Sequence, residues 1–418
     1  MYHIVIPPLN DHMKAFTSSL KWIFLAIIVG AISGSFGTFF YFSLNYVTTL
    51  RINNPWLIYF LPIAGLCIVF LYRISKDEKD TGTNLVLSAI HSDEYIPFRM
   101  APLIFISTTL THLFGGSAGR EGAALQMGGS LGNYLGRLFK LDDKDKKIMI
   151  MSGMSGAFCA LFGTPMAAAI FSIEVVSVGV MYYAALVPCV ISSLTAHAIA
   201  LYFGAKSPLY KIALPVYNIP NVLSTSCIAI LTALVSILFC IMLHYSGHIF
   251  KKQFANPYYK ILVGGLSVLI LTKLLGTYDY NGAGIDVIHN ALEGNVHFYT
   301  FLLKIVFTCL TLSCGYKGGE IVPSFFIGAT FGSAFGSLLG LDPSFASAIG
   351  MVSCFCGVTN CPISSLLISF ELFGYNGMPF FLITAAFSYL FSGYFGLYTS
   401  QKIIYSKYKT NYINKTTI

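Results

Sequence analysis

The chain has 418 residues, of which 56% are hydrophobic and only 10% charged, and its mean hydropathy is +0.72. About a quarter of the residues of a soluble domain carry charge, so a soluble globular protein is excluded. The formal charge of +8 is spread too thinly for a nucleic-acid surface and reads as Lys and Arg flanking membrane spans on cytoplasmic loops.

Taken in chain order, the first apolar run, Trp22 to Val47, follows Lys21 and lacks the small-residue cleavage site of a secretory leader, so it is expected to persist as a span. Further runs lie at Trp56 to Tyr72, Met100 to Phe114, Met181 to Phe203, Val222 to His244, Tyr259 to Leu275 and Met378 to Phe395. Several fall short of the roughly 20 residues that an upright crossing needs. Apolar stretches broken by Gly and Pro, at Gly115 to Gly136, Gly156 to Glu174, Gly315 to Gly340 and Cys354 to Glu371, predict helices that stop inside the membrane, as at transporter sites. The expected fold class is an all-α polytopic membrane protein. Most of the ten Cys lie in apolar stretches and read as small buried residues. Cys354, Cys356 and Cys361 lack the paired spacing of a zinc site, so neither metal nor cofactor is expected.

The chain repeats itself. Gly115, Gly119, Gly128, Gly132, Gly136, Leu141 and Asp142 recur 200 positions later as Gly315, Gly319, Gly328, Gly332, Gly336, Leu341 and Asp342. A second block recurs at a shift of 197, where Pro165 and Glu174 match Pro362 and Glu371. Gly at a spacing of four lets membrane helices approach closely, which accounts for most of these glycines but not for two blocks in matched order. Two copies of one membrane unit point to a transporter with its site between them. The loop Lys140 to Lys147 carries four Lys and its counterpart Leu341 to Ser347 none, a bias that points toward opposite sides and inverted repeats, although loop charge alone leaves the parallel arrangement open. The expected organisation is an N-terminal segment 1–19, a first repeat 20–205, a linker 206–214, a second repeat 215–397, and a C-terminal helix with a short tail over 398–418.

The stretch Gly115 to Gly129 carries the sharpest chemistry, because Gly-rich backbone there leads into a helix that starts at Arg120 and Glu121. Free backbone N–H groups and the positive end of the helix dipole attract an anion, or the carboxylate of Glu121 in competition with it. A Glu that exchanges with an anion is a gate, and one protonated when displaced carries a proton. Ionisable residues at membrane depth cost roughly 2.5 to 3.5 kcal/mol on insertion scales and are functional by default. The structural alternative for Glu121 is an ion pair with Arg120, and for Arg120 a loop anchor. In the second copy Glu320 aligns with Arg120 and Ile321 with Glu121, so a second acidic residue sits by the pathway. Its alternative is a carboxylate paired with Lys317.

With these residues in view, the chain resembles the CLC family of anion channels and anion/proton exchangers over nearly its whole length. Gly119 to Ala123 is similar to the family's GREGP signature, with Ala123 for Pro, and Gly318 to Pro323 is similar to its GxFxP signature, with Ile321 in the aromatic slot. The resemblance implies that Glu121 is the gating glutamate and that Tyr398, in Gly396 to Lys402, contacts the central ion together with amides near Gly122, Ile321 and Val322. Gly119, Arg120, Gly319 and Pro323 would support these motifs. The family's central-Ser motif is matched best by Gly82 to Val86, which offers Thr83 or Asn84 and no Pro, and Val175 stands where chloride/proton exchangers carry an internal proton glutamate. These departures, with Glu320 before the hydrophobic pair, resemble the fluoride-exporting branch.

What the resemblance implies is a homodimer in the cell membrane, of bacterial inner-membrane type, exporting fluoride in exchange for protons, with Glu121 and Glu320 handling gating and proton transfer. A chloride/proton exchanger or passive chloride channel of the same family is the alternative. The intramembrane segments show no HExxH, no GxSxG and no aspartate pair, so an embedded enzyme is not expected.

Overall fold

The computed structural model describes residues 9–77, 80–92 and 94–418, with side chains from Phe16 onward. Among these residues, eight helices are answered by eight more in the same order. The first set is α1 (Leu9–Asn53), α2 (Leu61–Ile74), α3 (Thr83–Ser92), α4 (Met100–Leu113), α5 (Glu121–Leu138), α6 (Asp143–Phe162), α7 (Pro165–Glu174) and α8 (Leu186–Tyr202). The second is α9 (Ile219–Gln253), α10 (Pro257–Leu275), α11 (Ile285–Leu292), α12 (Thr300–Ser313), α13 (Ile321–Leu338), α14 (Pro343–Thr359), α15 (Pro362–Phe373) and α16 (Met378–Phe391). Among the described residues, six helical stretches are long and apolar enough to cross a membrane, and several others are shorter apolar helices. Residues 9–19, expected as a separate segment, simply continue α1.

The repeated residues take up equivalent structural tasks. Asp142 and Asp342 cap the starts of α6 and α14, accepting from Asp145 N–H at 2.8 Å and Ser344 N–H at 2.9 Å. Gly128 and Gly328 let α5 meet α6 and α13 meet α14, since a Cβ on either would lie 2.2 Å from a carbonyl oxygen, of Gly153 or Gly350. Glu174 and Glu371 end α7 and α15, and each caps the other's helix. Glu371 accepts from Met166 and Ala167 N–H at 2.8 and 2.9 Å, and Glu174 accepts from Ile363 and Ser364 N–H at 3.0 and 2.8 Å. Helices that begin inside a membrane leave amides no water can satisfy, and the paired carboxylates meet that need.

Lys21 Nζ reaches Asp145 at 3.0 Å, which puts the start of α1 on the same face as the lysine-rich α5–α6 loop. Arg73 ends α2, and Lys251 and Lys252 end α9. The returning helices bring them to that face too, which the concentration of basic charge marks as cytoplasmic.

The C-terminal helix expected from Tyr398 is absent and is corrected here. After Gly393 and Gly396 the chain turns, and Lys402–Tyr405 (β2) runs parallel to Ser177–Val178 (β1) and antiparallel to Tyr412–Thr416 (β3). The run Ile403, Ile404, Tyr405 has strand-forming side chains, and β1 supplies an edge for it to join. Gln401, fully buried, donates to Val175 O at 3.0 Å and Thr359 O at 2.8 Å, which fixes the segment against the C-terminal ends of α7 and α14.

Three helices lie outside the apolar runs read from the sequence, and two more are only partly covered by them. α3, α11 and α12 are 8 to 14 residues long and amphipathic or interrupted by polar residues. α6 and α14 are reached only in their last thirds, by the runs that begin at Gly156 and Cys354; α6 opens with the charged Asp143 to Lys147, whereas α14 is apolar throughout but interrupted by Ser344, Ser347 and Ser353.

Candidate functional site

The two halves cross at one point. Gly119 N–H donates to Gly319 O at 2.6 Å and Gly319 N–H donates back to Gly119 O at 2.8 Å, an antiparallel bridge that lies on the pseudo-twofold axis of the repeats. Neither residue has room for a side chain. A Cβ on Gly319 would stand 2.6 Å from Gly122 N, and one on Gly119 2.7 Å from Glu121 Oε2. The bridge therefore brings the N-terminal ends of α5 and α13 face to face, with free amides and the positive ends of both dipoles directed at one small volume.

Glu121 opens α5 and is 1% exposed. Its Oε2 accepts from Arg120 N–H at 3.0 Å and, across the crossing, from Val322 N–H at 3.3 Å. The carboxylate of one repeat thus occupies the amide end of the other, where an anion would otherwise be held. Its Oε1 has no hydrogen-bond partner, and Arg120 Nε at 3.7 Å is close enough for ion pairing but not for a hydrogen bond. Arg120 also donates to Asn45 Oδ1 at 3.2 Å and lies over the Tyr41 ring, 5.3 Å from its centroid. It ties the loop to α1 and leans on Glu121 at the same time.

Glu320 precedes α13 on the other side of the crossing. Its Oε2 is buried without a partner and faces Gly122, where an added Cβ would come within 3.2 Å of it. Lys317, the partner offered by the sequence, is bound instead to Asp80 Oδ2 at 2.8 Å. The paired-carboxylate reading of Glu320 is therefore corrected.

Two cavities run in from opposite faces. The outer one, about 700 Å³, is lined by Arg51, His112, Arg120, Lys206 and Asp286 and ends at Glu121 and Val322. The inner one, about 710 Å³, is lined by Tyr72, Asp80, Gln126, Lys260 and Lys317 and ends at Glu320. Between them the backbone of the Gly119–Gly319 bridge and the side chains around it close the path.

Of the expected ion donors, Tyr398 is 2% exposed and its hydroxyl has no partner. Thr417 Oγ1 donates to the Tyr398 carbonyl at 2.5 Å, so the tail holds this residue in place. Thr83, at the start of α3, gives its one hydroxyl proton to Gly122 O at 3.3 Å. Asn84 accepts from Ser400 N–H at 2.9 Å through Oδ1, which leaves its amide hydrogens for another acceptor. Gly122, Ile321, Val322 and Pro323 are buried around the crossing.

Sequence reasoning passes over Arg51, Tyr72, Asp80, His112, Gln126 and Lys304. Lys304 is fully buried inside α12. It donates to Gly282 O at 2.7 Å and Tyr280 O at 3.2 Å and sits 4.9 Å from the Phe326 ring centroid. Asn281, in the same loop, donates to Gly115 O at 2.8 Å, and Gly282 N–H to Gly116 O at 3.0 Å. Lys304 thereby steadies the backbone leading into the gate helix. A lone Lys within the apolar stretch Thr300 to Ser313 is the signal that could have found it.

The profile of the voltage gated chloride channel family matches residues 64–393. A "Chloride/fluoride channel protein" of Pseudomonas syringae pv. tomato is 36% identical over 397 residues, covering 93% of this chain and 88% of that protein. The "H(+)/Cl(-) exchange transporter ClcA" of Vibrio cholerae is 24% identical, over 87% of this chain and 84% of its own. Among solved structures, a crystal structure of a CLC-type fluoride/proton antiporter superposes with a TM-score of 0.88 at 34% identity, covering 93% of this chain and 99% of the other. That of a slow cyanobacterial Cl-/H+ antiporter gives 0.75 at 20% identity, over 89% and 94%, a likeness of fold.

Proposed function

The chain belongs to the voltage gated chloride channel family, and from that premise we propose that it is a multi-pass transporter that exports fluoride in exchange for protons. One observation carries the proposal. Two carboxylates flank a single closed crossing, Glu121 buried and Glu320 half-buried with its Oε2 shielded and unpartnered, and each terminates a cavity open to a different face, Glu121 the outer and Glu320 the inner. Its similarity to a chloride/fluoride channel protein and to a fluoride/proton antiporter supports fluoride as the ion.

In this reading Glu121, as a carboxylate, competes with the ion for the amide of Val322 and so blocks the path. Protonation weakens that hold, because a neutral acid is a poorer acceptor than a carboxylate. The displaced side chain then carries its proton while the anion takes the vacated amides. Glu320, unpartnered on the inner side, receives or returns the proton there. Fluoride surrenders a tight water shell, and strong donors must replace it. The Tyr398 hydroxyl and the Asn84 amide are free to do so, whereas Thr83 must first release Gly122 O. The functional unit is a homodimer. Apolar side chains exposed on α7, α8, α15 and α16, among them Met166, Leu194, Ile363 and Leu382, offer a face for a second copy within the bilayer.

The test is anion efflux from liposomes loaded with fluoride or chloride, with external pH recorded. Fluoride is expected to leave at least about tenfold faster than chloride, a discrimination of about 1.4 kcal/mol, with protons moving the opposite way. Glu121→Ala should abolish proton movement while passive anion flow persists. Equal or faster chloride flow overturns the fluoride assignment and leaves a chloride transporter of the same family.

A further inference from the structure

Among the expected ion contacts, Tyr398 alone lies outside any helix or strand. The loop Ser392 to Gln401 that carries it includes Gly393 and Gly396, which leave its backbone loose. It also lacks the internal ladder of bonds by which a helix would fix the residue. Bonds from the tail stand in for that ladder. The Tyr398 carbonyl accepts from Gln401 N–H at 2.9 Å within the loop and from Thr417 Oγ1, just beyond β3, at 2.5 Å. Thr417 N–H donates in turn to Gln401 O at 3.2 Å, so one residue grips both ends of the turn Tyr398 to Gln401. Thr417 is buried, and its methyl group lies beside Gly396, where an added Cβ would stand 3.2 Å from Thr417 Cγ2. The start of the loop is tied by Lys407, between β2 and β3. Its three ammonium donors go to Asn360 Oδ1 at 2.5 Å, Tyr389 O at 3.0 Å and Ser392 Oγ at 3.1 Å, and Asn360 donates onward to Phe395 O at 2.9 Å.

We propose that Thr417 is a positioning residue for the anion site: its hydroxyl, acting through the Tyr398 carbonyl, fixes where the phenol meets the ion and so sets the affinity of transport. The inference deepens the transport reading and rests on it for Tyr398 as an ion contact. The Tyr398 hydroxyl engages no protein acceptor, so nothing at the far end of the side chain holds it, and its aim comes from the backbone. A small, strongly hydrated anion is the demanding case. A hydroxyl replaces water only within roughly 2.5 to 3.0 Å of its acceptor, and a misplacement of about 1 Å at a working site costs on the order of a hundredfold. Loss of the Thr417 bond leaves the carbonyl its partner in Gln401 N–H, so the loop keeps its fold while the aim of the ring relaxes.

The experiment measures initial fluoride efflux from liposomes containing the whole protein, at a fixed proton gradient and over a range of internal sodium fluoride concentrations. Thr417→Val keeps the shape of the side chain and loses the donor. It is expected to raise the half-saturating fluoride concentration roughly fivefold, with the maximal rate and the proton-to-fluoride ratio within about twofold of wild type. Thr417→Ser keeps the donor and should restore the wild-type half-saturation. Tyr398→Phe removes the hydroxyl that the bond aims, and in that background Thr417→Val should add no further shift, a coupling that a merely structural role would not produce. An unchanged half-saturation in Thr417→Val overturns the proposal, as does a shift of equal size with and without the Tyr398 hydroxyl. A fall in maximal rate shared by the Val and Ser variants, with half-saturation unmoved, makes the tail a structural clasp and overturns it too. Should wild-type liposomes release chloride in place of fluoride, the fluoride assignment fails, and the same series run with sodium chloride still decides the role of Thr417.

Discussion

The starts of α5 and α13 are built on the same backbone and carry different chemistry. At α5 the carboxylate is the first helical residue, and it folds back onto amides of its own loop and of the opposing helix. At α13 that position is Ile321, and the carboxylate sits one residue earlier, at Glu320, with an oxygen no group satisfies. One register step thus separates a carboxylate that occupies the ion's amides from one that waits beside them. An inverted repeat makes the two faces of a transporter alike; this substitution makes them unlike, and directional exchange needs that difference.

The comparison can be broken most severely at the crossing that both helix starts share. Gly319→Ala would force a Cβ to 2.6 Å from Gly122 N, and backbone cannot yield as a side-chain tip can, so a cost of about 3 kcal/mol or more is expected. Size-exclusion profiles and thermal unfolding in detergent should show a collapsed yield. A stable, active Gly319→Ala protein would mean that the two helix starts do not meet as described.

A second variant sharpens the contrast between the carboxylates. Glu320→Gln, which cannot take up a proton, is expected to slow fluoride and proton movement together by roughly tenfold, about 1.4 kcal/mol in the limiting barrier, without opening an anion leak. Glu121→Ala, in contrast, should uncouple transport. If both variants leak anion without protons, the register step has no functional meaning.

A third pair of variants, read in stability alone, concerns the reciprocal caps. Glu371→Gln keeps one acceptor oxygen where the carboxylate offered two, so an amide at the start of α7 loses its partner at a cost of about 1 to 3 kcal/mol. Glu174→Gln should cost more, because Glu174 is the more buried and also accepts from Ser364 Oγ. Thermal shifts of the two variants in detergent test that order, and the reverse order would contradict the geometry.

Much of the fold and of the gate is legible in the sequence, for a physical reason. The repeats announce themselves because inverted halves that meet on an axis require glycine at the same contact, as at Gly119 and Gly319, and the same capping residue, as at Asp142 and Asp342. Glu121 stands out because a carboxylate at a Gly-rich helix start in an apolar chain is costly unless it has a task. The partner of Lys317 is not legible. Asp80 lies 237 positions away, and no periodicity links a loop of one repeat to a loop of the other. The strand at Lys402–Tyr405 is hidden as well, since its pairing edge is two residues beside α7 and the strand itself is only four residues long.

The mutual caps also have a consequence for how the protein is made. Ala167 and Met166 depend on Glu371, which the ribosome adds 204 residues after Ala167. At about 5–20 residues per second, the start of α7 stays without its cap for on the order of ten to forty seconds after it is synthesised. The first half of the molecule must therefore persist in the membrane as an unfinished partner, sheltered until the second half arrives. The gene encodes two copies of one unit, yet neither copy can complete itself.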